Sequence, residues 1–138
     1  MSLDAAIDGL RAAVETMPGL ARVYTDPPES LNEFPCAFVV ADSGEMNDSG
    51  AGGYSLHTLV VEIFHARAVL AQAVDGAKVW PDRVLAALRV DHTLGGTVSH
   101  VRWPVTYQAG ALNYNNITHY GMRFRVTVKV NVWSHWGM

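Results

Sequence analysis

Six histidines are the residues of this chain best suited to metal binding or proton transfer, and their spacing decides which can act together. His57 and His65 share one strand-like stretch but stand eight positions apart. That is roughly 26 Å at strand rise, too far for one metal ion. His92, His100, His119 and His135 form no HxH or HExxH spacing and read as solvated or singly hydrogen-bonded. Asp42, Glu45 and Asp48 share a polar, glycine-rich segment and offer at most a loose divalent-cation site. The segment lacks the regular oxygen-ligand spacing and closing glutamate of a calcium loop. A small metal- or ligand-binding domain using the histidines and the acidic segment 42–53 is therefore the alternative function. No serine sits in a G-x-S-x-G elbow. Ser43-Gly44 and Ser49-Gly50 lack the lysine and following helix of a phosphate loop. Cys36 is the only cysteine and stands between Pro35 and the apolar run Ala37-Phe38-Val39-Val40, which makes it a buried small hydrophobe. No pair of groups is spaced for acid–base or nucleophilic work, so no enzyme, cofactor or resident metal is expected.

Two patterns suit binding better than catalysis. Arg123, Arg125 and Lys129 line one face of the closing strand, interrupted by Thr127. Such a line fits a phosphate backbone or an acidic partner, or simply keeps an exposed strand face solvated. A subunit-contact or lumen-facing surface is the favoured reading. Trp133 and Trp136 stand near the end of the sequence, where leaving two indoles in water is costly. They either fold back on the domain or dock on another subunit.

The elements that position these residues follow from periodicity. Leu3, Ile7, Leu10, Val14 and Met17 make one helical stripe, with Ser2 or Asp4 as its cap and Pro18-Gly19 as its stop. Residues 20–24 read as a short strand, and the two prolines of Asp26-Pro27-Pro28-Glu29 demand a loop. Residues 34–41 form a second strand. Residues 42–53, with four glycines, are expected as a mobile loop. The strand 54–65 has apolar residues on both faces and should be covered on both. A broken helical crossover follows: a short turn near 68–74, then a firmer helix 81–89 with Val84, Leu85 and Leu88 buried. Gly95-Gly96 stops it. In the next strand, 97–107, Val101, Trp103, Val105 and Tyr107 share a face. A loop, 108–118, leads to the closing strand 120–133. There Met122, Phe124, Val126, Val128, Val130 and Val132 alternate with Arg123, Arg125, Thr127, Lys129 and Asn131. The expected fold is α+β, of order α-β-β-β-α-β-β, with about five strands in an antiparallel or mixed sheet and two helices on one face.

The chain has 138 residues, which suits a single domain spanning 1–138, with the mobile loop at 42–53 and an aromatic tail at 133–138. Apolar residues make up 49 %, enough for a core, and the net charge of −3 gives no chain-wide attraction to DNA or an anionic membrane. No apolar run is long enough to span a bilayer, and the first residues lack the pattern of a signal peptide. Synthesis in a reducing cytoplasm is expected.

Three passages carry a resemblance. The first helix leads to Val23-Tyr24 and then to Pro27-Pro28-Glu29-Ser30-Leu31-Asn32-Glu33-Phe34-Pro35 before an apolar strand. Asp91-His92-Thr93-Leu94-Gly95-Gly96-Thr97-Val98 closes the second helical region, and Tyr120-Gly121-Met122-Arg123-Phe124 opens the last strand. In this order the chain resembles the tail-terminator and tail-completion (head–tail joining) proteins of long-tailed bacteriophages. The resemblance implies a virion structural protein that forms a ring, commonly a hexamer. That ring would stack on the tail tube protein or a head-completion protein and pass DNA through its opening without reading its sequence. It also implies a location at the tail or head–tail junction, with no membrane. Asp42, Glu45, Asp48, Arg123, Arg125, Lys129, Trp133 and Trp136 are the candidate subunit or partner contacts.

Overall fold

A computed structural model describes residues 1–48, 52–66 and 70–131. The first helix, α1 (Leu3–Glu15), starts where Ser2 leaves helical geometry and its hydroxyl accepts the Ala5 N–H at 3.1 Å. Ala6, Gly9, Leu10, Ala13 and Val14 form its buried stripe. Gly9 is required by close approach. A Cβ there would lie 2.3 Å from Thr97 Oγ1 and 2.6 Å from the Leu94 carbonyl. The passage 91–98 is thus a packed turn: Asp91 Oδ1 accepts the Gly95 N–H at 2.9 Å, and Leu94 and Val98 are buried beneath α1.

The strands are β1 (Arg22–Val23), β2 (Cys36–Asp48), β3 (Gly53–His65), β4 (His100–Tyr114) and β5 (Ile117–Asn131). They form one mixed sheet of order β1-β2-β3-β5-β4, in which only the β1–β2 pair is parallel. The crossover between β3 and β4 is a broken helix, α2 (Leu70–Ala77) and α3 (Trp80–Val90). The expected α+β class and the order α-β-β-β-α-β-β hold, with the middle helix in two pieces. The helices cover one sheet face over a core that includes Leu10, Val14, Leu59, Val61, Trp80, Leu88, Phe124 and Val126. Met122, Phe124, Val126, Val128 and Val130 point into it, as the alternation of β5 requires. At one end the opposite face is covered too. Phe38 and Phe64 pack with Tyr24, Leu31, Phe34, Leu112 and Tyr114, so the proline loop lies over the sheet. Its anchors are the Tyr114 hydroxyl, which donates to the Pro28 carbonyl, and Asn115 Nδ2, which donates to the Glu29 carbonyl at 2.6 Å. The two-sided burial expected of β3 is met by Val60 and Phe64 on one face and Leu59, Val61 and Ile63 on the other.

Three expectations are corrected. Residues 42–48 are not loop: they extend β2, paired with β3 from Ser43↔Thr58 to Asp48↔Gly53 after a bulge at Asp42. The backbone ladder holds this stretch, whose side chains are exposed on both faces, so no hydrophobic period marks it. Residues 108–114 likewise belong to β4, and the connection shrinks to Asn115-Asn116, both left-handed (φ 50 and 68), a two-residue hairpin turn. Leu85, expected in the buried stripe of α3, is 38 % exposed, because the buried face of α3 is Trp80, Val84 and Leu88.

Candidate functional site

The residue types suited to chemistry do not converge. Among the described residues no group of three or more His, Cys, Asp or Glu is placed to hold a metal ion. Both His57 and His65 lie on β3, as expected, and each has its pKa lowered by burial. The role of His65 is fixed by its neighbour: the Trp80 indole N–H donates to His65 Nε2 at 2.8 Å, inside the core. An imidazole accepting at Nε2 carries its proton on Nδ1 and is neutral. His119 packs its ring against Phe34 and Phe64, at 5.3 and 5.7 Å between centroids. Cys36 is buried, and burial, with Glu33 adding to it, pushes the thiol up to about 12. A thiol so protonated is not a nucleophile at neutral pH.

The acidic trio is spread along β2. The Asp42 carboxylate pairs with the Arg125 guanidinium, Glu45 stands opposite Leu56, and Asp48 opposite Gly53. The basic line of β5 is tied into the same sheet. Arg123 Nε lies 2.9 Å from Glu62 Oε1, across the β3–β5 pairing. Burial raises the Glu62 pKa, and the neighbouring Arg123 opposes that rise. Thr127 and Thr58 hydroxyls are 3.1 Å apart, and the Lys129 ammonium stands 4.7 Å from the centre of the Tyr54 ring. The basic line therefore has partners within its own chain, and these cross-strand pairs lock β5 to β3 and β2. Trp133 and Trp136 lie outside the described residues.

What the sheet leaves open is its two edges. β1 pairs only with Cys36 and Ala37 of β2, so among the described residues no strand pairs with the outer side of Phe38–Asn47. Met46, on this stretch, is 84 % exposed. At the opposite side β4 pairs, among the described residues, only with β5. Near its start β4 carries a bulge between Arg102 and Thr106, containing the cis Trp103-Pro104 bond. Beside this bulge a groove of about 210 Å³ opens between α3 and β4. Pro81, Asp82, Leu85, Trp103, Val105 and Tyr107 line it, with Phe124 among its inner residues. Trp103 and Tyr107 are 51 % and 52 % exposed, although strand alternation places them with buried Val101. Sequence reasoning missed this groove. Pro104 inside a strand pattern is the signal that marks an edge and a bulge there. No family model matches the chain, and no curated protein matches it.

Proposed function

We propose that the chain is a non-enzymatic virion structural protein of the long-tailed-phage type. Copies would form a ring that terminates the tail tube or joins tail to head. The observation that carries this reading is the pair of long, unlike edges on opposite sides of one sheet, β2 at Phe38–Asn47 and β4. An open edge is a row of backbone donors and acceptors ready for another chain. Two unlike surfaces on opposite sides make head-to-tail contacts, which close into rings when the rotation per copy divides a full turn. The resemblance in element order to tail-terminator and tail-completion proteins supports the same reading and names the tail tube or a head-completion protein as the stacking partner. The charges of Arg123, Arg125 and Lys129 are engaged within the sheet, so the edges rather than the basic face are assigned to subunit contact.

Size-exclusion chromatography with light scattering, followed by electron microscopy of the assembled fraction, tests the reading. A discrete ring is expected, and Met46→Lys on the β2 edge should dissolve it without unfolding the subunit. A strict monomer at every concentration, with no binding to isolated tail tubes, overturns it.

A further inference from the structure

We infer that the groove between α3 and β4 receives the guanidinium of an arginine side chain on a partner protein. The inference goes beyond the ring reading and stands apart from it, because the open β2 edge, Phe38–Asn47, contains no arginine or lysine to supply the cation.

The groove owes its shape to a displaced strand. Between the Arg102↔Thr127 and Thr106↔Arg125 pairs, residues 103–105 have no ladder partner on β5, and this bulge sets Trp103 beside α3. The half-exposed Tyr107 ring is backed by buried Phe124, 5.5 Å away between centroids, so it forms a fixed platform. Leu85 and Val105 complete the apolar wall. Asp82 is the one charged residue of the lining. Its exposed carboxylate makes no hydrogen bond or ion pair with any described residue. No cation of this chain's described residues answers it there. On α3, Arg83 is turned to the Pro18 carbonyl at 2.8 Å, and Arg89 does not line the groove. On the strands, Arg102, Arg125 and Lys129 occupy the opposite face of the sheet from Tyr107 and Phe124.

This chemistry selects its guest. Aromatic faces and a carboxylate are both negative, so they repel an anion and attract a cation. A purely apolar guest would take water from Asp82 and give nothing back. One carboxylate does not hold a metal ion, and among the described residues no group of three metal-ligating side chains is present. Among organic cations, guanidinium suits an open groove better than ammonium. It is planar, stacks flat on a ring, forks toward a carboxylate and sheds its hydration more readily. The methylene stem of an arginine matches Leu85 and Val105. Size points to a chain-borne group. Sites for free drug-sized ligands run to about 300–1,000 Å³, whereas this groove, at about 210 Å³, has room for one side chain. A free arginine would also bring an α-carboxylate, for which the lining has no cation.

Titration of the full-length protein with N-acetyl-arginine methylamide tests the inference, followed by NMR at the indole N–H of Trp103, with Trp103→Phe assigning that signal. Saturable shifts are expected there and at the Asp82 and Tyr107 amides. The citrulline counterpart has the same shape without the charge. It should bind about tenfold more weakly, since it forgoes both the cation–π contact and the ion pair. Asp82→Asn, at an exposed position and checked by circular dichroism, should weaken the arginine probe about threefold and leave the citrulline probe unchanged. Equal binding of the arginine and citrulline probes, or no shift at Trp103, overturns the inference without recourse to a variant. Free arginine or agmatine binding about tenfold tighter than the blocked probe overturns the partner protein and assigns the groove to a small molecule. Groove signals that respond only after an assembly is diluted to single subunits make a second copy the occupant, and overturn it too. A protein monomeric at every concentration that still prefers arginine to citrulline overturns the ring reading and leaves this one standing.

Discussion

Replacing Trp80 by Phe tests how the helical crossover is fastened to the sheet. Trp80 is 1 % exposed and His65 8 %, and the indole N–H donates to His65 Nε2 at 2.8 Å. Phenylalanine removes the donor and leaves a buried acceptor without its partner, a loss of about 1–3 kcal/mol. The smaller ring also leaves part of the indole site empty, worth about 1 kcal/mol more. The Arg83 guanidinium, 5.2 Å from the Trp80 ring, can still face a phenyl ring and keep its 2.8 Å bond to the Pro18 carbonyl. The expected loss is therefore about 2–4 kcal/mol, a large share of the roughly 5–15 kcal/mol that holds a domain together. In a chain of this length it lowers Tm by about 6–15 °C. The assay is urea unfolding followed by far-ultraviolet circular dichroism, repeated from about pH 7.5 down to about pH 5. Burial lowers the pKa of His65 from its ordinary value of 6.5. Below that value the unfolded chain takes up a proton that the folded chain resists, so wild-type stability falls as the pH falls through 6.5 toward the folded pKa. In Trp80→Phe the neutral imidazole has lost the bond that favoured it. Its protonation is then less opposed, and the gap between wild type and variant should narrow toward acid. His57, also lowered by burial, titrates alike in both proteins and cancels. A variant within about 0.5 kcal/mol of wild type, well under the loss of one buried hydrogen bond, or a gap constant with pH, refutes the reasoning.

Four further outcomes follow from the packing. Gly9→Ala should lose about 1–2 kcal/mol in urea unfolding, because overpacking against the Leu94 carbonyl outweighs the gain in helix propensity; a more stable variant refutes the close approach. Arg123→Glu should destabilise more than Arg125→Glu, since the Arg123–Glu62 pair is the less exposed one and reversal sets two carboxylates together; equal thermal shifts would contradict this. Asn116→Gly should raise stability by about 0.5 kcal/mol, because glycine accepts the left-handed second position of the hairpin turn without strain; unchanged or lowered Tm refutes it. Cys36 should resist a thiol reagent in the native protein at pH 8 and react only on the timescale of unfolding, and rapid native labelling would show that its burial is wrong.

The elements with a buried face were legible. The stripe of α1 and the alternation of β5 name the core residues because each places one side in a dry environment. The elements held by backbone alone were not. Asp42–Asp48 reads as a glycine-rich loop because no side chain there is buried, yet its backbone completes twelve residue pairs of the β2–β3 ladder together with the buried half of β2. The stretch 108–114 was hidden because its apolar contacts, Leu112 and Tyr114 on Phe38 and Phe64, are few and half-buried, and the left-handed Asn115-Asn116 turn marks how far the strand runs. Leu85 fits the helical period of α3 but meets a groove rather than a core, a distinction set by the bulge around Pro104 in another element.

That difference between side-chain and backbone information also explains where the candidate site lies. Arg123, Arg125 and Lys129 stand out in the sequence as a basic line interrupted only by Thr127, but a strand's outward charges acquire meaning only from the strands beside it. β3 places Glu62 against Arg123, Thr58 against Thr127 and Tyr54 beneath Lys129, while the bulge in β2 turns Asp42 toward Arg125. Each partner comes from sixty or more positions away, beyond any local pattern. With these charges engaged, a contacting surface must offer something still unsatisfied, and the open backbone of the two sheet edges and the half-exposed aromatics of the α3–β4 groove do so. Both lie where a strand pattern is interrupted, at Asp42 in β2 and at Pro104 in β4. In this chain the interruptions of the pattern, rather than its most regular stretch, mark the surfaces proposed for contact with another chain.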